Sequence, residues 1–297
     1  MSQSRLTVAI RPAAQADTPQ VMDLLGQIWG GEDYVPQFWM DWLQDRHGRL
    51  VVAEHEGRIL GTGRLARKSE DEWWLQGLRV HPEFEDRGIA SQIHNTLVTL
   101  WRAEFGGTLR LSTVATRYPV HHLCERTGFT RIGDFSFYRA ASLQPDAQNP
   151  LAFHPMKHEE IEAGLTFIRS NPLFDLQAGM WALGWEWVRP SFDLLAEAVG
   201  NRQAWWWRDH RGLLAFMPDE EDTQTVMPFI QHIACPLEDL STCLMDYRRL
   251  AGHLGYTQAA WEPNLVPPLV SAVEEAGFQR TWDNSTYLYA LESVLPD

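Results

Sequence analysis

The chain has 297 residues, long for one domain and comfortable for two that each bury a core. Its 44% hydrophobic and 22% charged content is ordinary for a globular protein, and no apolar run approaches the length of a bilayer span. Asp and Glu outnumber Lys and Arg by 39 to 25, a formal charge of −14, which argues against nucleic acid or an anionic membrane as partner; it is compatible with a cationic small molecule such as an amine, and solubility alone accounts for it as well.

Val8 and Ile10 alternate with polar residues as a strand, and Thr18-Pro19 opens a helix carrying Val21, Leu24, Leu25 and Ile28. A second helix is predicted over Val35–Gln44, with Phe38, Trp39 and Trp42 on one side. Leu50–Glu54, Ile59–Leu65 and Trp73–Val80 then read as an antiparallel meander, divided by the Glu56-Gly57 turn and the polar stretch Arg67–Asp71. After Pro82 the period becomes helical through Ile89, Ile93, Leu97, Leu100 and Trp101, ending at Gly106-Gly107. Leu109, Leu111 and Thr113 alternate as a strand, a helix runs from about Pro119 to the Gly128-Phe129 cap, and Phe135–Ala140 closes the set.

Asp146–Pro150 is a proline-flanked polar segment that reads as a linker. The order of elements then repeats: Leu151–Phe153, the helix of Ile161, Leu165 and Ile168, Gln203–Trp207, Leu213–Met217, Thr225–Ile233, the helix Leu240–Leu254, Tyr256–Trp261, and a helix ending Ala276-Gly277-Phe278. Thr286–Leu291 would close this half as Phe135–Ala140 closes the first, so the chain reads as an internal duplication with domains at 1–144 and 151–297.

The informative string runs from Leu78 to Ser91. A strand ends near Val80 and a helix begins near Gly88, with small residues at Gly88 and Ala90 where backbone must approach a ligand. N–H groups at such a helix start point at an anion, reinforced by the helix dipole. The string lacks the Gly-Lys-Ser/Thr of a nucleotide P-loop and the three glycines of a dinucleotide fingerprint.

Leu-x-Val-x-Pro-x-Phe-x-x-Arg-Gly-Ile-Ala resembles motif A of the GNAT N-acetyltransferase superfamily, and the order of elements over residues 8–140 resembles that fold. The resemblance implies an α/β (α+β) architecture of two tandem GNAT-like domains, each a mixed, mostly antiparallel sheet flanked by helices. It implies acetyl-CoA as acyl donor, with backbone of Leu78 and Val80, beside Arg79, along the pantetheine arm. Glu85, Asp86, Arg87, Gly88, Ile89, Ala90 and Ser91 would surround the pyrophosphate. A bulge near Leu78 would aim an N–H at the thioester oxygen. Glu85 departs from the family's Arg or Gln, and Arg87 is the expected compensation.

Acyl transfer to an amine needs a free amine, oxyanion stabilisation and a proton for the departing thiolate. The family's Tyr, four residues before the Gly of the cap, is Cys124 here. A thiol of ordinary pKa, about 8.5, can serve or can simply be a small buried side chain; Tyr118 is the other candidate acid, with packing as its alternative. The family's strand carboxylate is replaced by Gln76, leaving Glu72 and His81 as candidate bases or as strand-end residues.

His121-His122 lacks ligand spacing and Cys124, Cys235 and Cys243 are too few and irregular for zinc or a disulfide framework, so no metal is expected. The N-terminus lacks an apolar signal core, and a cytoplasmic location is expected. Trp205–Trp207 is expected to bury one face in the core and one against the partner domain, and the acidic run Asp219–Asp222 to be a solvated turn.

In the second half, Cys235-Pro236-Leu237-Glu238-Asp239 comes after the matching strand. Pro236 removes a donor and the acids repel phosphate, so this copy is expected not to bind coenzyme A. The leading expectation is acetyl transfer to a small-molecule amine, by a monomer with an intramolecular pseudo-dimer or by a homodimer. An acyl-CoA sensor lacking acid and base, or a protein lysine or N-terminal acetyltransferase, are the alternatives.

Overall fold

The computed structural model describes residues 4–219 and 226–293. In chain order the first elements are β1 (Ala9–Pro12), α1 (Thr18–Leu25), α2 (Val35–Gln44), β2 (Arg49–His55), β3 (Arg58–Arg67), β4 (Glu72–Val80), α3 (Ile89–Glu104), β5 (Gly107–Val114), α4 (Tyr118–Thr127), β6 (Thr130–Phe135) and β7 (Tyr138–Ala141). Next come β8 (Phe153–Pro155), α5 (Ile161–Ser170), α6 (Leu173–Leu176), β9 (Trp181–Ala182), β10 (Trp187–Val188), α7 (Phe192–Gly200), β11 (Ala204–Trp207) and β12 (Gly212–Asp219). The chain ends with β13 (Met227–Ala234), α8 (Leu240–His253), β14 (Gln258–Trp261), α9 (Pro267–Glu275), β15 (Gln279–Arg280) and β16 (Thr286–Ser293).

Two seven-stranded mixed sheets result, ordered β1-β2-β3-β4-β5-β16-β6 and β15-β7-β14-β13-β12-β11-β8. In the first sheet β1 to β4 pair antiparallel and β4 pairs with β5 in parallel, and the second sheet is antiparallel except for the parallel pair β13 with β14. The two orders match strand for strand with β7 and β16 exchanged. This corrects the sequence expectation for the closing strands: Phe135–Ala140 divides into β6 and β7, and Thr286–Leu291 serves the first sheet. Alternation of side chains fixes which face a strand buries, and says nothing of which edge it joins.

The chain forms two compact units, and most of β16 belongs to the first with residues 1–111 and 117–130. In this unit Val21, Leu24 and Leu25 of α1 and Val35, Trp39 and Trp42 of α2 pack on Val52 and Ile59. The Glu56-Gly57 turn has both residues in the left-handed region (φ 50° and 78°), as a tight hairpin between β2 and β3 requires.

In the second unit Trp205 and Trp207 join the cluster of Leu244, Tyr247 and Leu250, while Trp206 packs with Ile161, Leu165 and Leu195 on the other face. The alternation is as expected, but the second face is covered by the unit's own α5 and α7 rather than by a partner domain. Of the acidic run, Glu220, Glu221 and Asp222 lie outside the described residues. Among the described residues no helix is long and apolar enough to cross a membrane, and no cluster of three or more His, Cys, Asp or Glu could hold a metal ion.

Candidate functional site

β4 is paired along its length with β3, from Trp73 opposite Arg67 to Val80 opposite Gly61. The register slips by one between Thr62 and Arg64, so β4 carries an extra residue at Gly77–Leu78. Gly77 takes φ 65°, and a Cβ there would lie 2.7 Å from the Trp42 ring. Only glycine fits both the dihedral and the contact.

On its other edge β4 pairs with β5 at Glu72, Trp73 and Trp74 and then parts from it. Leu78, Arg79 and Val80 therefore lie on a half-buried stretch of β4 beyond its pairing with β5.

The loop after β4 begins with a short turn, Pro82–Phe84, capped by His81, whose Nδ1 accepts from the Glu83 N–H at 3.3 Å. Asp86 (φ 59°) and Gly88 (φ 78°) are both left-handed, and Gly88 starts α3 without a side-chain cap. Successive N–H groups in such a conformation form an anion-binding concavity. Glu85 and Asp86 are exposed, Arg87, Gly88, Ala90 and Ser91 are half-buried, and Ile89 is in the core.

The guanidinium of Arg87 lies over the Phe84 ring at 5.1 Å, as does that of Arg58. Beside Gly88 stands a cation that sequence reasoning missed: Arg5 Nε is 3.6 Å from where a Gly88 Cβ would be. Gln92 fastens this N-terminal segment to the loop, donating to Leu6 O at 2.7 Å and Gly88 O at 3.2 Å. Leu6 N–H in turn donates to Arg87 O at 3.0 Å. The only hint in the sequence was Gln92 facing the helix start, one turn after Gly88.

The acid and base candidates are not brought together. Cys124 is completely buried on α4, and that burial pushes its thiol up to about 12. Tyr118, at the start of the same helix, is 66% exposed and stands edge-on to His121 at 6.1 Å. Glu72 is buried and ion-paired with Arg110, itself buried on β5. His81 is buried too, its Nε2 2.9 Å from the Arg58 guanidinium, so both ring nitrogens face donors within the protein. Arg79 turns its side chain onto the buried carboxylate of Asp33 at 2.7 and 3.0 Å, leaving its backbone to the strand edge.

A further pair went unread. His121 is buried on α4 and hydrogen-bonded through Nδ1 to the Tyr289 hydroxyl of β16 at 3.0 Å. The two are 168 positions apart, and no local pattern relates them.

β13, the counterpart of β4, also slips register against β12, between Ala215 and Phe216. The segment that leads from β13 into its helix is unlike the β4–α3 loop. No residue from Cys235 to Leu240 is left-handed, and the short turn Leu237–Asp239 places Glu238 and Asp239 at the entry to α8. That entry lacks the left-handed pair of the β4–α3 loop and carries two acidic side chains.

Comparison with known proteins agrees with this geometry. Residues 18–129 match the model of the acetyltransferase (GNAT) family. A histidine N-acetyltransferase of Oreochromis niloticus is 27% identical over 147 residues, covering 48% of this chain and 39% of that protein. The aligned stretch thus spans about two-fifths of that relative's length.

Among solved structures, a GCN5-related N-acetyltransferase from Sphaerobacter thermophilus superposes with TM-score 0.60 at 12% identity, covering 97% of this chain and 98% of that one. A tandem GNAT protein from the clavulanic acid biosynthesis pathway gives 0.57 at 14% identity over 98% and 100%. At such identities the likeness is one of fold. Residues 18–129 thus match the acetyltransferase (GNAT) family, and the two sheets share the fold of a tandem GNAT protein.

Proposed function

We propose that this chain is an acetyl-CoA-dependent N-acetyltransferase acting on the amine of a small molecule, with residues 1–144 holding the donor and residues 151–297 a degenerate copy that does not. One observation carries the reading. Within a single segment, Glu72 to Ser91, β4 leaves β5, bulges at Gly77 and runs into a loop with left-handed Asp86 and Gly88. An acyl-CoA suits that shape: an extended arm beside Leu78 and Val80, and a pyrophosphate on the N–H groups from Glu85 to Ser91. Arg5 and Arg87 supply positive charge where Glu85 does not.

The donor, when bound, supplies the thioester carbonyl. The residue added by the bulge at Gly77–Leu78 falls out of the ladder, and its N–H is our candidate for the oxyanion. Tyr118 is the acid we retain, because it is exposed where Cys124 is sealed off with a thiol near 12. Glu72 and His81 are committed to Arg110 and Arg58, so the amine is taken to lose its proton to solvent before attack. The relative's name, histidine N-acetyltransferase, favours a free amino acid as acceptor. All three cysteines are free thiols, which suits a reducing cytoplasm.

The same engagement of Glu72 and His81 favours a second reading, an acyl-CoA sensor without turnover. Isothermal titration with acetyl-CoA tests both. Gly88→Glu forces a carboxylate side chain into a left-handed position beside the phosphate site, and should abolish binding. Binding that survives this change would sink both readings. Release of free thiol across a panel of amino acids then separates enzyme from sensor.

A further inference from the structure

Trp29 is half exposed, at 50%, and its backbone is left-handed at φ 48°, a conformation that bulky residues hold only at a cost. Two guanidiniums lie over its ring, Arg79 at 4.4 Å from the end of β4 and Arg117 at 5.3 Å from the entry to α4. Their surroundings differ. Arg79 is neutralised by the bidentate contact with Asp33 and also faces Tyr34 at 5.3 Å. Arg117 is exposed, and among the described residues no carboxylate pairs with it. In a chain of net charge −14, this stack presents one uncompensated cation held flat by an aromatic ring.

The stack is tied to the bulge of β4. Gly77 abuts Trp42, and Trp42 is in ring contact with Tyr34 at 6.3 Å and Phe38 at 6.4 Å. Tyr34, Phe38 and Trp29 are exposed aromatics, so a wall of rings leads from the bulge to Arg117. We infer that Arg117, braced on Trp29, binds the carboxylate of an acceptor whose amine reaches the bulge, which makes the substrate class free α-amino acids rather than simple amines or peptide-chain lysines. Arg suits the role because its planar fork meets a carboxylate with two parallel hydrogen bonds while its face stays on the ring. The inference rests on the acyl-transfer reading above for the identity of the reacting amine.

The test compares histidine with histidinamide at an alkaline pH where both α-amines are free, so that they differ at the carboxylate alone. With acetyl-CoA as donor, the wild type should favour the free acid by about tenfold or more in kcat/KM, the usual worth of a charged hydrogen-bonded contact. Arg117→Ala should remove that preference through KM, leaving the amide unchanged, and Arg117→Lys should restore part of it. Equal losses on acid and amide, or no preference in the wild type, overturn the inference while leaving an acetyltransferase. Titration of both ligands without turnover gives the independent arm. Acid-selective binding that Arg117→Ala abolishes, with no thiol released, upholds the carboxylate site and overturns the acyl-transfer reading. Binding of neither ligand overturns the site.

Discussion

The Tyr289 hydroxyl stands 3.0 Å from Nδ1 of His121, so the last strand of the chain is hydrogen-bonded to the helix that carries Tyr118 and Cys124. Both residues are buried, and an unmade bond there costs more than an exposed one. Tyr289→Phe should lower stability by about 1–2 kcal/mol, read as a shift of the urea midpoint. Acetyl-CoA binding, proposed above for β4 and its loop, should not move. An unshifted midpoint would mean the bond contributes nothing.

Glu72 was a candidate base from its place at the start of β4, and its partner argues for a structural role. Removing its charge breaks a buried ion pair with the Arg110 guanidinium, which is 2% exposed. Glu72→Gln should therefore cost about 3–5 kcal/mol of stability, the usual penalty for breaking a buried pair from one side. Any folded fraction should keep the wild-type pH–rate profile. A folded, stable variant whose alkaline rate profile collapsed would restore Glu72 as the base.

Cys124 should behave as core. Its thiol, raised to about 12 by burial, is a weaker acid than the ordinary thiol it would have to protonate. Cys124→Ala should leave turnover unchanged across pH, and native protein should resist thiol-modifying reagents at this position until denaturant opens the fold. Rapid labelling of Cys124 in the native state would contradict this.

Two buried histidines set an acid limit on stability. His94 and His232 are each held down to about 4 from an ordinary 6.5, in both cases chiefly by burial. In the folded chain they stay neutral over a range where the unfolded chain takes up protons. Their contribution is whole above about 6.5 and is lost as pH falls toward 4. At 1.36 kcal/mol per pH unit, each site is worth on the order of 3 kcal/mol across that window. Urea midpoints should fall between pH 7 and pH 5, and His94→Gln should flatten the slope. Parallel slopes for the variant and the wild type would remove His94 from the account.

What the sequence made legible was local. The helix start at Gly88, the hairpin at Glu56-Gly57 and the cap at Gly128 come from rules about single residues and their neighbours, and the meander of β2 to β4 comes from period-two alternation. Of the candidate site, the turn into the helix at Gly88 could be read, while the partners of its side chains could not. Glu72 finds Arg110, 38 positions away, because β4 lies parallel to β5 with Glu72 opposite Thr108. Gln92 finds Leu6, 86 positions away, and His121 finds Tyr289 at 168. Such contacts depend on which strand lies beside which, and the alternation that betrays a strand is silent on its neighbour.

The exchange of β7 and β16 has a consequence for how the chain is made. β5 ends at Val114, and the strand that lies beside it in the sheet begins at Thr286. At synthesis rates of about 5–20 residues per second, the edge of β5 waits roughly ten to thirty seconds on the ribosome for its neighbour. An N-terminal half released early carries that edge bare, a template for pairing with any other chain. Truncation between the halves is therefore a route to aggregation, and a peptide spanning Thr286–Ser293 supplied in trans is the natural means of rescue.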